Sequence, residues 1–182
     1  MEIEKDHPGL EKIIEDMFDT MHNALGVGLA APQIGKAIRL FIVETKPFTE
    51  TDGDDEEDDE FTPEERKQLE SFRRVFINAQ IIEEKGKEWV FNEGCLSIPK
   101  IREDVVRKPR VQIQYYDEHF KFHDEVFEGL VARVIQHEYD HIEGKLFTDK
   151  ISPLRRRLLN GKLNDISKGK INVGYKMRFP NK

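Results

Sequence analysis

Apolar residues recur at helical spacing in two stretches of this chain. Between them they run continuously or alternate. Leu10, Ile13, Ile14, Met17, Phe18, Met21 and Leu25 follow the i, i+3, i+4 rhythm, so residues 9–25 are expected to form an amphipathic helix that stops at Gly26. Farther on, Leu130, Val134, His137, Glu138 and His141 share one helical face, and Val131, Ile135, Tyr139 and Ile142 share a neighbouring one. A helix with that much apolar surface belongs in a core, and Gly144 is its natural stop. The apolar stretch 37–44 reads as a strand. Residues 74–82 and 87–92 read as two strands around the turn Glu84-Lys85-Gly86, and 110–116 with 120–127 as a hairpin turning at Asp117-Glu118-His119. Helix, several strands, then helix predicts an α+β fold, with mostly antiparallel sheets around a central helix carrying residues 137–141.

Local signals fill in the rest. Residues 26–35, GVGLAAPQIG, form a stretch of small side chains that lets another backbone come close. It lacks the order of a phosphate loop, and Gln33 within it is a candidate amide donor. Thr62-Pro63-Glu64-Glu65 opens a short helix with a capping box, and a basic helix over 153–169 is expected after Ser152. The residues beyond it carry no assignment. A chain of 182 residues is expected to form one catalytic domain over 1–182, with an insertion at about 46–73 and a basic tail at about 150–182.

Charge changes the picture in two places. The net charge of −7 averages two opposed segments. Residues 52–60 hold eight acidic groups and are expected to be a solvated, mobile loop, without the ligand spacing of a calcium loop. Residues 150–182 hold ten Lys or Arg against Asp165 alone, which suits an anionic partner. No apolar run reaches membrane-spanning length, and the start MEIEKDHPGL has no apolar leader core. The single cysteine, Cys95, excludes an internal disulfide and suits a reducing compartment.

The chemistry begins at His137-Glu138-Tyr139-Asp140-His141. On a helix, His137 and His141 lie one turn apart on one face and can grip one metal ion, while Glu138 can reach a water beside it. That arrangement suits metal-assisted hydrolysis and calls for a third ligand. The candidates are Glu143 and Asp149 downstream and Cys95 upstream. A metallopeptidase cutting internal bonds would use a ligand other than Cys95. A structural metal site in a ribosome-binding module would need a fourth protein ligand.

Three segments together are more specific than any one of them. GVGLAAPQIG at 26–35, EGCLS at 93–97 and HEYDH at 137–141 resemble, in order and spacing, the three signature motifs of peptide deformylases. The resemblance spans the chain apart from the acidic insertion and part of the tail, and departs from the family in reaching its first helix by about residue 9. It implies a bacterial, cytoplasmic hydrolase that removes the formyl group from the N-terminal formylmethionine of newly made proteins and releases formate. It implies that Cys95, His137 and His141 hold one divalent ion, natively Fe(II), with Zn(II), Ni(II) or Co(II) able to substitute. Glu138 is then the general base, and the Gln33 amide and the Leu96 backbone N–H are donors to the formyl oxygen. Backbone groups of Val27, Gly28 and Gly94 are expected to pair with the peptide as an added strand. Val27, Leu130 and Val134 are expected to take the methionine side chain, with Arg102 near the substrate. The partners implied are N-formylmethionyl nascent peptides and, through the basic tail, the ribosome; no membrane or DNA partner is expected.

Overall fold

The computed structural model describes residues 1–50 and 61–179. The acidic run 52–60 lies outside the described residues. In order, the elements are α1 (Leu10–Asn23), β1 (Gly28–Ala30), β2 (Leu40–Glu44), α2 (Pro63–Ser71), β3 (Arg73–Lys85), β4 (Trp89–Cys95), β5 (Ile98–Arg107), β6 (Arg110–Tyr116), β7 (Phe122–Glu128), α3 (Gly129–Ile142) and α4 (Pro153–Ser167), with short 3-10 turns between several of them. Every strand pairing is antiparallel. Five strands form one sheet in the order β1-β2-β3-β6-β7, and β4 and β5 form a second, two-stranded sheet. This is the α+β fold with antiparallel sheets expected from the sequence.

The five-stranded sheet lies between two helices. Phe41 and Val43 of β2 join Phe76, Tyr115 and Phe127 in a cluster with Val131, Ala132, Val134 and Ile135 of α3. Leu40 and Ile42 of the same strand point the other way and join Leu10, Met17, Phe18 and Met21 of α1. Successive residues of a strand face opposite sides, so a strand buried on both faces reads as an unbroken apolar run. A third cluster holds Ile98, Ile101 and Val105 of β5 against Phe147, Leu159 and Ile166, which docks the small sheet onto α4.

Several boundaries differ from the sequence expectation for identifiable reasons. Helix α1 ends at Asn23, and its left-handed residue is Leu25 (φ 55°), not Gly26. Gly26 instead allows close contact: a Cβ there would sit 2.8 Å from Leu96 Cδ1. Strand β5 was not expected. Two of its inward-facing residues, Glu103 and Arg107, are charged and break the apolar alternation, and Pro99 precedes Lys100 in a left-handed conformation (φ 61°). Residues 28–30, read as part of a loop, form an edge strand on β2. The capping box at α2 is present: Thr62 Oγ1 accepts the Glu65 N–H at 3.2 Å and Glu65 Oε2 accepts the Thr62 N–H at 2.8 Å. Helix α3 closes as expected, with Gly144 left-handed and the Lys145 N–H donating to the Asp140 carbonyl at 2.8 Å.

Candidate active site

Helix α3 delivers His137, Glu138 and His141 to the seam between the two sheets, and the end of β4 delivers Cys95. The pairing of β4 with β5 slips at Gly94/Cys95, so Cys95 lies opposite Ile98 across a two-residue turn, Leu96-Ser97. The donor atoms of Cys95, His137 and His141 lie within 4.8 Å of one another. Cys95 Sγ is 3.2 Å from His141 Nε2, and the two imidazole rings stand 5.0 Å apart, nearly perpendicular. Glu143 forms an ion pair with Arg39 and Asp149 one with Arg156, so neither downstream carboxylate belongs to this cluster.

Buried charges set the orientation of the ligand candidates. Glu93 is 4% exposed and accepts from His137 Nδ1 at 2.9 Å, from Arg107 Nε at 2.7 Å and from Arg133 at 3.0 Å. Arg107 also donates to Asp140 at 2.7 Å. Burial alone would raise the Glu93 carboxyl, but the hydrogen bonds from His137 and Arg107 hold it well below the usual carboxylate range. In the neutral ring, a His137 Nδ1–H donated to Glu93 leaves the Nε2 lone pair for an ion, the geometry by which an outer carboxylate orients a ligating histidine. Burial disfavours charge on both rings. At His137, bonds to Cys95 and Glu93 and the charge of Glu138 outweigh burial and raise the ring to about 10. At His141, burial and then the His137 charge push it down to about 3. The two rings are pushed in opposite directions, and one thiol with two imidazoles is a donor set that suits a divalent transition ion. Replacing Glu93 by glutamine is expected to destabilise the fold by about 3 kcal/mol, because Arg133 loses its buried counter-charge and Arg107 keeps only Asp140. Denaturant unfolding with an unshifted midpoint would show that the cluster is held by other contacts.

Glu138 is the one acid here without a bonding partner: its Oε2 is buried and makes no hydrogen bond among the described residues. Burial raises its carboxyl to about 7, against the opposing charge of His137. Its floor is Gly28, where a Cβ would lie 2.5 Å from Glu138 Oε1, so only glycine fits beneath the carboxylate. Gln33 is fixed at both ends. Its Oε1 accepts the Ala30 N–H at 2.8 Å, and its Nε2 donates to Ser97 Oγ at 3.0 Å and faces Cys95 Sγ at 3.6 Å.

These groups open onto a cavity of about 730 Å³ lined by Val27, Gly28, Gln33, Gly94, Cys95, Leu96, Arg102, Val134, His137 and Glu138, with Leu25, Phe48, Phe91, Ile98, Ile101 and residues 172–175 also contributing. Leu130 does not line this cavity; it is half-buried against the apolar cluster that holds Val134. Val27 lines the cleft, and its carbonyl accepts the Glu44 N–H of β2 at 2.9 Å. Strand residues alternate edges, which turns the peptide groups of Gly28 and Ala30 to the outer edge of β1, where Gln33 takes the Ala30 N–H. The Arg102 guanidinium bonds Asn92 through Nε at 2.9 Å and lies over Gly94, where a Cβ would meet it at 2.9 Å.

Sequence reading missed the Glu93–Arg107–Arg133–Asp140 cluster. Its signal was Arg133, a cation inside an otherwise apolar helical stretch. It is 2% exposed and lies over the Trp89 ring at 4.5 Å.

A sequence model of the family described as polypeptide deformylase matches residues 1–157. A peptide deformylase of Christiangramia forsetii is 61% identical over 180 residues, covering 99% of this chain and 88% of the relative. One from Flavobacterium johnsoniae is 55% identical over 177 residues, covering 97% and 87%. Among solved structures, a peptide deformylase from Legionella pneumophila superposes with a TM-score of 0.73 at 36% identity, covering 93% of this chain and 88% of that one. A plant peptide deformylase from Arabidopsis thaliana, in complex with an inhibitor, superposes with a TM-score of 0.75 at 29% identity, covering 93% and 83%. With three motif segments converging on one cleft and relatives matching along almost its full length, the chain belongs to the polypeptide deformylase family, enzymes that remove the N-terminal formyl group of new proteins.

Proposed function

We propose that residues 1–182 act as one catalytic domain in which Cys95, His137 and His141 hold a divalent ion and Glu138 handles the proton in deformylation. The observation that carries this reading is the buried, unpartnered Glu138 carboxylate beside a thiol and two imidazoles whose donor atoms converge within 4.8 Å. A divalent ion there supplies Lewis acidity, bringing a water's pKa to near neutral and drawing charge from a carbonyl oxygen. Glu138 accepts the proton of the attacking water, its raised carboxyl range matching a base that works near neutral pH. The Gln33 amide, aimed by Ala30 and Ser97, and the Leu96 backbone N–H donate to the formyl oxygen as charge gathers on it. Glu138 returns the proton to the leaving amine, and formate departs.

The outer edge of β1, with Gly28, and the end of β4, with Gly94, flank the cleft so that an extended peptide adds as a strand. Val27 and Val134 with Phe91 give the methionine side chain an apolar wall, and Arg102 stands at the rim near the following residues. We assign Fe(II) as the native ion from the family resemblance, with Zn(II), Ni(II) or Co(II) able to replace it. The decisive assay is formate release from formyl-Met-Ala-Ser by protein purified without oxygen, with its metal content measured. Cleavage of an internal peptide bond without formate would overturn the reading.

We further propose that the enzyme works in the bacterial cytoplasm, where formylated chains emerge, and that α4 contacts ribosomal RNA. No described helix is long and apolar enough to cross a membrane. The basic surface is smaller than the sequence suggests, since Arg155 pairs with Glu103 and Arg156 with Asp149. Arg157 and Lys162 are cations of α4 outside these pairs, so Arg157→Glu with Lys162→Glu is the informative variant. It should weaken salt-sensitive cosedimentation with ribosomes and leave formate release from a tripeptide unchanged. Equal cosedimentation at low salt would sink the proposal.

A further inference from the structure

The residues after α4 carry a pattern that helix and strand signals pass over. Over 171–179, Ile171, Val173, Tyr175, Met177 and Phe179 are half-buried, while Asn172, Gly174, Lys176 and Arg178 are exposed. Such period-two burial is that of an extended segment lying on a surface, although no strand ladder forms here. The chain turns back at Gly169 (φ 73°), where a Cβ would lie 3.1 Å from the Phe179 ring. Ile171 packs on the third apolar cluster. The segment is thus a strap running from α4 back to the cleft, which Asn172, Val173, Gly174 and Tyr175 line.

At its middle, the Tyr175 hydroxyl donates to the Leu96 carbonyl at 2.8 Å. That carbonyl has no ladder partner, because Leu96 occupies the two-residue turn between Cys95 and Ile98. The Leu96 side chain rests against Gly26, so Leu96 is held from two sides. The strap also has two faces. Gln33, Leu96, Gly174 and Tyr175 border both the catalytic cleft and a second cavity of about 470 Å³ that runs to Thr20 and Asn23. These four residues are the partition between the two spaces.

We propose that Tyr175 is a positioning residue for deformylation: its hydroxyl fixes the Leu96 peptide so that the Leu96 N–H and the Gln33 amide converge on one point, and the strap walls that pair off from the second cavity. This rests on the assignment of Leu96 and Gln33 as donors to the formyl oxygen. Without the hydroxyl, the Leu96-Ser97 turn keeps the Leu96 side chain on Gly26 and the Ser97–Gln33 bond, but nothing holds the Leu96 carbonyl, and misplacing a reacting group by about 1 Å can cost on the order of a hundredfold in rate.

The test uses the full chain with its metal content measured, as wild type, Tyr175→Phe, Tyr175→Ala and Gln33→Ala. Two quantities are read: kcat and KM for formyl-Met-Ala-Ser, and amide hydrogen exchange of the fragment holding residues 93–99. Tyr175→Phe keeps the ring and loses one neutral hydrogen bond. It should lower kcat about tenfold with little change in KM, and speed exchange at the turn by a similar factor. Tyr175→Ala also removes part of the cleft wall and should raise KM as well. A Tyr175→Phe enzyme with wild-type kcat overturns the positioning role, even if exchange is faster. A slower enzyme with unchanged exchange overturns the route through Leu96. If Gln33→Ala keeps full activity, the donor assignment has failed on its own account; the Tyr175→Phe exchange rate then still decides whether the hydroxyl holds the turn.

Discussion

Replacing Glu138 by glutamine is expected to leave the ion in place and to cut formate release by roughly 10²–10⁴-fold, the range lost with a general acid–base group. The side chain is 4% exposed and rests directly on the Gly28 backbone, so an amide of the same shape fills the same space. Its Oε2 accepts no hydrogen bond among the described residues, so substitution breaks no existing contact there. What disappears is the capacity to take a proton, which burial tunes to about 7. Metal analysis beside steady-state rates separates the possibilities. Parallel loss of ion and activity would make Glu138 a structural support of the histidines instead of the base.

Replacing Cys95 by alanine is expected to lower affinity for the ion by more than about 100-fold, beyond the ~10–100-fold cost of losing an outer partner, and activity should fall with it. Cys95 is the only thiol in the chain, and its Sγ faces both His141 Nε2 and Gln33 Nε2. The same sulfur is a chemical weakness. It is half-buried at the cleft, and a bound ion would hold it as the thiolate, the form that oxygen chemistry converts to sulfinic and sulfonic acids. An iron-loaded sample should lose activity in air well before a nickel-loaded one, and reductant should not restore a fully oxidised sample. Mass spectrometry should find added oxygen on Cys95, or the ion lost as Fe(III). A Cys95→Ala protein with normal metal content and rate would return the third ligand to another group.

The sequence announced those elements whose burial and periodicity agree. Helix α3 was legible because its apolar faces and its histidines share one repeat, and β2 because burial on both faces makes it uniformly apolar. The thiol and imidazoles were legible as residue types at fixed spacing. What stayed hidden is what depends on partners far along the chain. Strand β5 carries Glu103 and Arg107 inward because Arg155 and Glu93 meet them there, and no local pattern foretells either pairing. Leu130 sits at helical spacing from Val134, yet which turn of α3 borders the cleft depends on where β4 docks. The strap alternates plainly in the sequence, but a nine-residue alternation without a ladder partner gives no sign of what it covers.

The β4–β5 sheet shares no ladder with the five-stranded sheet. It is fastened to α3 by salt links through Glu93 and Arg107, and to α4 by a small apolar cluster. Cooperative units of a protein open separately where few contacts join them. The thiol travels with one unit and the imidazoles with the other, 46 positions apart along the chain between Cys95 and His141. The proposed centre is therefore complete only when the two sheets are docked on each other. Any opening between them would separate the thiol from the imidazoles. Activity is thus expected to fall at a lower denaturant concentration than the far-UV signal of the larger sheet and its two helices.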